Sequence, residues 1–126
     1  MDFDVYVPIP IDDAVRAAIC TPVPDLKFGS LPIDAKLAAS LGQEYLPSRR
    51  PVVDRILVFQ HGEDDDDVFV RMDEVIARAL ALIPGELAIV TEFDFVMVDR
   101  TAAGEVRYRA KDDYYRPFLV KSLGPV

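Results

Sequence analysis

The most regular pattern of apolar and polar residues lies in the second half of the chain, and it predicts one helix followed by three strands. Apolar residues recur at every third or fourth position over 69–83, which places them on one face of an amphipathic helix. Pro84 and Gly85 end this helix, because proline lacks an amide donor and glycine accepts positive φ. Three segments rich in strand-forming residues follow, at 87–91, 95–100 and 105–109.

The first half of the chain supplies further strands and two shorter helices. Apolar and polar residues alternate over 3–7, as in a half-buried strand, whereas 53–60 is apolar on both faces, as in a central strand. Short helices are predicted over 13–20 and 34–41, and Gly42 is expected to end the second of them.

These elements together predict an α+β fold. A helix that precedes an antiparallel meander buries its apolar face against the sheet. We therefore predict a single domain over 1–126, in which the main helix and the shorter N-terminal helices pack on an antiparallel sheet of about five strands. The segment 25–30 is compatible with an additional edge strand.

Length and charge narrow the class of protein. With 126 residues, of which 51% are hydrophobic, the chain is long enough to form one domain with a real core. The net charge of −8 argues against nucleic acid as a partner and permits a basic protein partner, although acidity also serves solubility alone. Neither a signal peptide nor a membrane-spanning run is recognisable, so we expect a cytoplasmic protein without a membrane partner.

The residue types that carry most enzyme chemistry are sparse. Cys20 is the one cysteine and is expected to act as a small buried apolar residue at a helix end. His61 is the one histidine, so neither a zinc site nor a catalytic triad can be assembled around it. The glycines do not cluster into a phosphate-binding loop. We therefore predict no catalytic residue, no metal and no cofactor.

Two segments hold the candidate partner-binding residues. An acidic run lacks the ligand spacing of a calcium loop and is interpreted as a solvated lead into a helix N-terminus, with partner contact as the alternative. The run consists of Glu63, Asp64, Asp65, Asp66 and Asp67. Near the C-terminus, Tyr114, Tyr115 and Arg116 combine residue types that are enriched at protein interfaces, or else cover the sheet edge. The pair Arg49 and Arg50 is too short to predict a basic patch.

The order of elements from Pro51 onward carries a family resemblance. A strand and an acidic link precede a helix that ends in Pro84-Gly85-Glu86, and a hydrophobic hairpin follows with Glu92-Phe93-Asp94 at its break. Gly104 then turns into the last strand, and a tail with aromatic residues ends the chain. This arrangement resembles the small immunity proteins of bacterial polymorphic-toxin and swarming-inhibition systems, over residues 51–126.

The resemblance implies a non-enzymatic cytoplasmic protein that neutralises a cognate toxin by direct association. The net charge makes a basic toxin domain the expected partner. The alternative is a small enzyme or ligand-binding domain with a pocket between sheet and helices, in which scattered Asp and Tyr residues and His61 would perform acid–base chemistry. A structural interaction subunit is a third hypothesis, and the sequence leaves a homodimer open.

Overall fold

The strands of this protein form one antiparallel sheet, seen in a computed structural model that describes residues 2–23, 26–29, 33–60, 67–91 and 95–109. The described strands are β1 (Asp2–Val7), β2 (Leu26–Gly29), β3 (Asp54–Gln60), β4 (Leu87–Thr91), β5 (Val96–Arg100) and β6 (Val106–Tyr108), in the spatial order β2-β3-β1-β4-β5-β6. The described helices are α1 (Asp13–Ile19), α2 (Ala35–Tyr45) and α3 (Asp67–Leu82). The α+β prediction is confirmed, and the sixth strand is the edge strand within 25–30.

One face of the sheet carries the main core, beneath α1 and α3. Val75, Ile76 and Ala79 of α3 are buried against sheet residues such as Phe3 and Ile89, as the periodicity predicted. Asp12 caps α1 by accepting a hydrogen bond from the amide of Ala14, 2.9 Å away. The helices on this face therefore follow from local sequence signals.

A side chain from the sheet caps the C-terminal end of α3. The guanidinium of Arg100, at the end of β5, donates to the carbonyl oxygens of Leu80 (2.8 Å), Gly85 (2.6 Å) and Ile83. The last carbonyls of a helix have no partner within the helix, so this one side chain satisfies groups that would otherwise need water. Arg100 thereby fixes the end of α3 to the fifth strand.

The opposite face of the sheet is packed by α2. Tyr45 stacks on Tyr6 of β1, with ring centroids 5.8 Å apart and planes 13° from parallel. The prediction that Gly42 ends this helix was wrong, because α2 continues to Tyr45. A Cβ on Gly42 would lie 1.8 Å from the carbonyl oxygen of Arg50, so glycine is needed here for the close approach of the following segment.

A β-bulge between β4 and β5 sets the faces of β5. Ile89 pairs with Val98, whereas Val90 pairs with Val96, so Met97 is the extra residue. Met97 and Val98 both join the main core. Asp99 lies opposite Ala88 of β4, which belongs to the cluster beneath α2, so the bulge directs Asp99 towards the α2 face.

Candidate functional site

A cleft opens on the α2 face of the sheet, between the end of α2 and strands β5 and β6. Its volume is about 630 Å³. Its walls combine guanidinium and aromatic side chains, and we call it the arginine cleft. The residues that define it are Tyr45, Arg49, Phe95, Asp99, Arg107 and Arg109.

Two arginines of the cleft are held by one buried carboxylate. Arg107 donates from Nε and Nη2 to the two oxygens of Asp99, at 2.7 and 2.9 Å, and Arg109 donates from Nε at 3.2 Å. The Asp99 side chain is 3% exposed, whereas those of Arg107 and Arg109 are 38% and 47% exposed. Two positive charges on one carboxylate leave a net charge of +1, and a bidentate arginine–carboxylate pair has a defined geometry.

The strand pairing explains this arrangement. Asp99 and Arg107 are directly opposite each other in β5 and β6, so their side chains lie on the same face. Arg109 is two positions further on and shares that face, and its amide extends the pairing by donating to the carbonyl of Met97 at 2.9 Å. Donation of hydrogen bonds to Asp99 raises the pKa of Arg107, which keeps this guanidinium charged.

Arg49 enters the cleft from the loop after α2. Its φ is 61°, in the left-handed region that residues other than glycine seldom adopt. Its amide donates to the carbonyl of Leu46 at 3.0 Å. The Arg49 side chain is exposed and has no hydrogen bond or ion pair among the residues that the structure describes. Its guanidinium is therefore available to a ligand.

A buried glutamate fixes the loop that presents Arg49. The side chain of Glu86 is 0% exposed, and it accepts hydrogen bonds from the Ser48 amide at 2.7 Å and from Arg50 Nη2 at 3.1 Å. Burial by itself would raise the pKa of Glu86, but the hydrogen bonds from Ser48 and Arg50 outweigh it and lower the pKa. A charged Glu86 thus holds the residues on both sides of Arg49.

The cleft differs in charge from the protein around it. Its lining contains three arginines against Asp99 and Glu44, which gives a local charge of +1 in a chain whose net charge is −8. Guanidinium groups with unused N–H donors bind carboxylates and phosphates. The arrangement is therefore suited to holding an anionic group beside Tyr45 and Val96, whose side chains belong to the α2 side of the sheet.

Most of the residues that the sequence suggested for binding lie outside the described residues. These are Glu63, Asp64, Asp65, Asp66, Tyr114, Tyr115 and Arg116, and His61 lies outside them as well. Asp67 is the first residue of α3. The role of these residues in binding therefore stays a prediction.

Cys20 follows α1 and is half-buried against the main core, close to the environment expected from the sequence. Burial raises the pKa of its thiol, and the charge of Arg16 offsets part of that increase. A raised pKa lowers the fraction of reactive thiolate. Cys20 is thus a packing residue in this structure.

The arginine cleft was not predicted from the sequence. Arg49 belongs to a pair too short to predict a basic patch, and the segment that holds Arg107 and Arg109 was predicted only as a strand, over 105–109. The alternation that places Arg107 and Arg109 on one face was a usable signal. The approach of Arg49 to that face depends on the α2 loop, which no local pattern predicts.

Within the described ranges, no three His, Cys, Asp or Glu side chains are grouped so that they could hold a metal ion. None of the helices in the described part of the chain has the length and apolar character needed to cross a membrane. Comparison with protein-family models, with curated proteins and with solved structures finds no match to this chain.

Proposed function

We propose that this protein is a non-enzymatic, cytoplasmic binding protein of the immunity type, which neutralises a cognate toxin by direct association at the arginine cleft. The observation that carries the proposal is the composition and fixation of that cleft. Arginine and tyrosine are enriched among the few residues that supply most of the binding energy in protein interfaces. Here Arg107, Arg109 and Arg49 stand beside Tyr45 in one depression of the surface.

The rigidity of the cleft supports the same function. Asp99 holds Arg107 and Arg109, Glu86 holds the loop of Arg49, and the ring of Tyr45 is stacked on Tyr6. Ordering of long side chains on association costs about 0.5–1.5 kcal/mol for each one immobilised. Side chains that are already held in the free protein avoid part of this cost, so the cleft is prepared for binding.

The proposal is tested with any toxin-like protein that a gene adjacent to the gene of this chain encodes. Co-expression should restore growth of cells that produce that toxin, and the two purified proteins should form a complex in calorimetry. Arg49→Ala should weaken the complex by about 1.5–3 kcal/mol, the range for hydrogen bonds to charged groups. Lys36→Ala is the matched control, because it removes one positive charge from the exposed first turn of α2, outside the cleft.

Two outcomes would contradict the proposal in different ways. If the neighbouring protein shows neither protection nor complex formation, direct neutralisation by this chain is wrong. If the complex forms but Arg49→Ala and Lys36→Ala bind equally well, the function stands and its location in the cleft is wrong.

One observation favours a second candidate, a ligand-binding domain or small enzyme. The arginine cleft lies between the sheet and a helix, where this alternative places its pocket, and about 630 Å³ falls within the usual range for small-molecule sites. Thermal-shift measurements with small dicarboxylates and phosphate esters test it. A ligand that raises the melting temperature of the wild type but not of Arg49→Ala would support this candidate, and turnover of that ligand would make the protein an enzyme.

A further inference from the structure

The arginine cleft has unused hydrogen-bond donors that point to the chemistry of its ligand. Each guanidinium has five N–H donors. Arg107 uses two of them and Arg109 one on Asp99, so three and four remain, and all those of Arg49 are free among the described residues. Donors of this kind, fixed at the surface and carrying positive charge, are matched by the oxygens of an anion.

We propose that the arginine cleft binds an acidic segment of the partner protein, in which a carboxylate side chain is adjacent to an aromatic side chain. This inference rests on the proposed function, since it names the part of the partner that is recognised. The carboxylate contacts the guanidiniums of Arg49 and Arg107, and the neighbouring ring packs on Val96, which is half-buried, lines the same cleft and packs against the cluster beneath α2.

Charge selects a short segment over a long polyanion. The net charge of −8 repels an extended anionic chain such as nucleic acid, whose binding needs a continuous basic surface. An acidic segment of two or three residues meets only the cleft, where the charge is +1. Salt screens exposed charges beyond about 8–10 Å, so the charges within the cleft dominate over those on distant faces.

Glu44 adds a specificity element. It is exposed, lies one position before the end of α2 and lines the cleft on the helix side. A carboxylate placed next to Glu44 is repelled, whereas one placed next to Arg107 and Arg109 is attracted. The acidic residue of the partner is thereby directed towards the β6 side of the cleft and the aromatic residue towards its middle.

The inference differs from the expectation of a basic partner face, which followed from the net charge of the whole chain. The net charge of the chain and the local charge of the cleft can both act in one complex. The total charge affects the long-range approach of a partner, while the groups in direct contact determine which segment fits the cleft. A toxin with a basic surface and one acidic segment satisfies both conditions.

The test uses a blocked peptide, acetyl-Gly-Glu-Phe-Glu-Gly-amide, titrated into the full chain and followed by two-dimensional NMR at about 0.1 M salt, where distant charges are screened. We expect saturable shifts of the Arg107 and Arg109 side-chain Nε–H signals and of the Val96 amide, with a dissociation constant on the order of millimolar. A peptide with Gln in place of both Glu residues should bind at least about tenfold more weakly, which corresponds to one factor of ten in the binding constant.

Variants of the cleft arginines distinguish the loss of a charged contact with the peptide from a distortion of the fold. Arg107→Ala leaves Asp99 with one partner fewer, so a loss of binding there could reflect a distorted hairpin. Arg49→Ala removes a side chain without a described partner, so its fold is expected to be intact, and it should weaken binding of the Glu peptide at least about fivefold, as loss of a charged hydrogen bond does. Arg49→Lys should recover part of the affinity, and Lys36→Ala should bind like the wild type.

Three results would overturn the inference. One is equal binding of the Glu and Gln peptides, another is shifts that lie outside the cleft, and the third is absence of saturable binding up to about ten millimolar peptide, a concentration at which a millimolar site is nearly full. Displacement of the peptide by acetate or inorganic phosphate at equal concentration would assign the cleft to free anions instead. Neutralisation of the toxin by the wild-type protein would still support the proposed function in each of these cases.

Discussion

Arg107 and Asp99 face each other across β5 and β6 and are joined by two hydrogen bonds, of 2.7 and 2.9 Å. The carboxylate is buried at 3% exposure while the guanidinium reaches solvent. A buried charge needs partners, and two arginines supply them here from the edge of the sheet. The ion pairs that offset the cost of burying the Asp99 charge also hold Arg107 and Arg109, two of the arginines of the candidate binding site.

Replacement of Asp99 tests this link between stability and binding. Asp99→Asn keeps the shape but removes the charge, so we expect the free energy of unfolding to fall by about 1.5–3 kcal/mol, the range for a hydrogen bond to a charged group. Urea unfolding followed by circular dichroism measures it. Glu105→Gln, in the exposed turn before β6, is the control and should change stability by less than about 0.5 kcal/mol. Equal stability of the two variants would contradict a stabilising role of Asp99.

Arg100 is expected to stabilise the end of α3. Arg100→Ala removes the donor to the carbonyls of Leu80, Ile83 and Gly85, and we expect a loss of about 1–3 kcal/mol in the free energy of unfolding. Arg100→Lys should be intermediate, because one ammonium group cannot reproduce the forked geometry of a guanidinium. Hydrogen exchange should show faster opening at the end of α3 in both variants. Unchanged exchange there would show that the helix end is held by packing alone.

Gly42→Ala is expected to destabilise the protein, although the same change usually stabilises a helix. The added methyl group would lie 1.8 Å from the carbonyl oxygen of Arg50, so α2 and the following segment must separate. That movement also strains the hydrogen bond from the Val52 amide to the Ala38 carbonyl, 3.0 Å long. We expect a loss of at least about 1–3 kcal/mol, the usual cost of overpacking. Thermal unfolding measures it, with Ala39→Ser on the exposed side of the helix as the control, and an increase in melting temperature would contradict the close approach.

The buried carboxylate of Glu86 predicts loss of stability in acid. Its pKa is lower in the folded protein than its ordinary value of 4.5, so the charged form stabilises the fold above about pH 4.5. This contribution disappears as the pH falls through the lower, folded-state pKa. Asp54 acts in the same direction, because hydrogen bonds from Ile11, Arg16 and Arg55 outweigh burial and lower its pKa.

The measurement is urea unfolding of Glu86→Gln and wild type at several values between about pH 7 and pH 3, where such carboxylates titrate. The variant should be less stable at neutral pH and should lose less stability in acid. Asp4 opposes the trend, since burial raises its pKa and its charged form is disfavoured in the fold. Parallel curves for the two proteins would show that Glu86 does not couple folding to protonation.

Local sequence patterns determined most of the secondary structure of this protein. The predicted strand at 87–91 matches β4 (Leu87–Thr91), and the predicted helix at 69–83 lies within two residues of α3 (Asp67–Leu82). Periods of 3.6 and 2 residues depend on neighbours along the chain, so they are readable without the fold. The predictions of the α+β class and of the burial of Val75, Ile76 and Ala79 are confirmed for the same reason.

The roles of Gly42, Asp99 and Arg49 were decided only by the tertiary structure. Gly42 appeared to be a helix stop, but the approach of Arg50 from beyond the helix accounts for the glycine. Likewise, the bulge at Met97 sends Asp99 to the α2 face, and the loop held by Glu86 brings Arg49 to the same cleft. These relationships join residues far apart in the chain and depend on strand register and backbone contact, so no local period records them. The net charge is a sum over the whole sequence, whereas the positive charge of the cleft exists only because folding collects three arginines in one place.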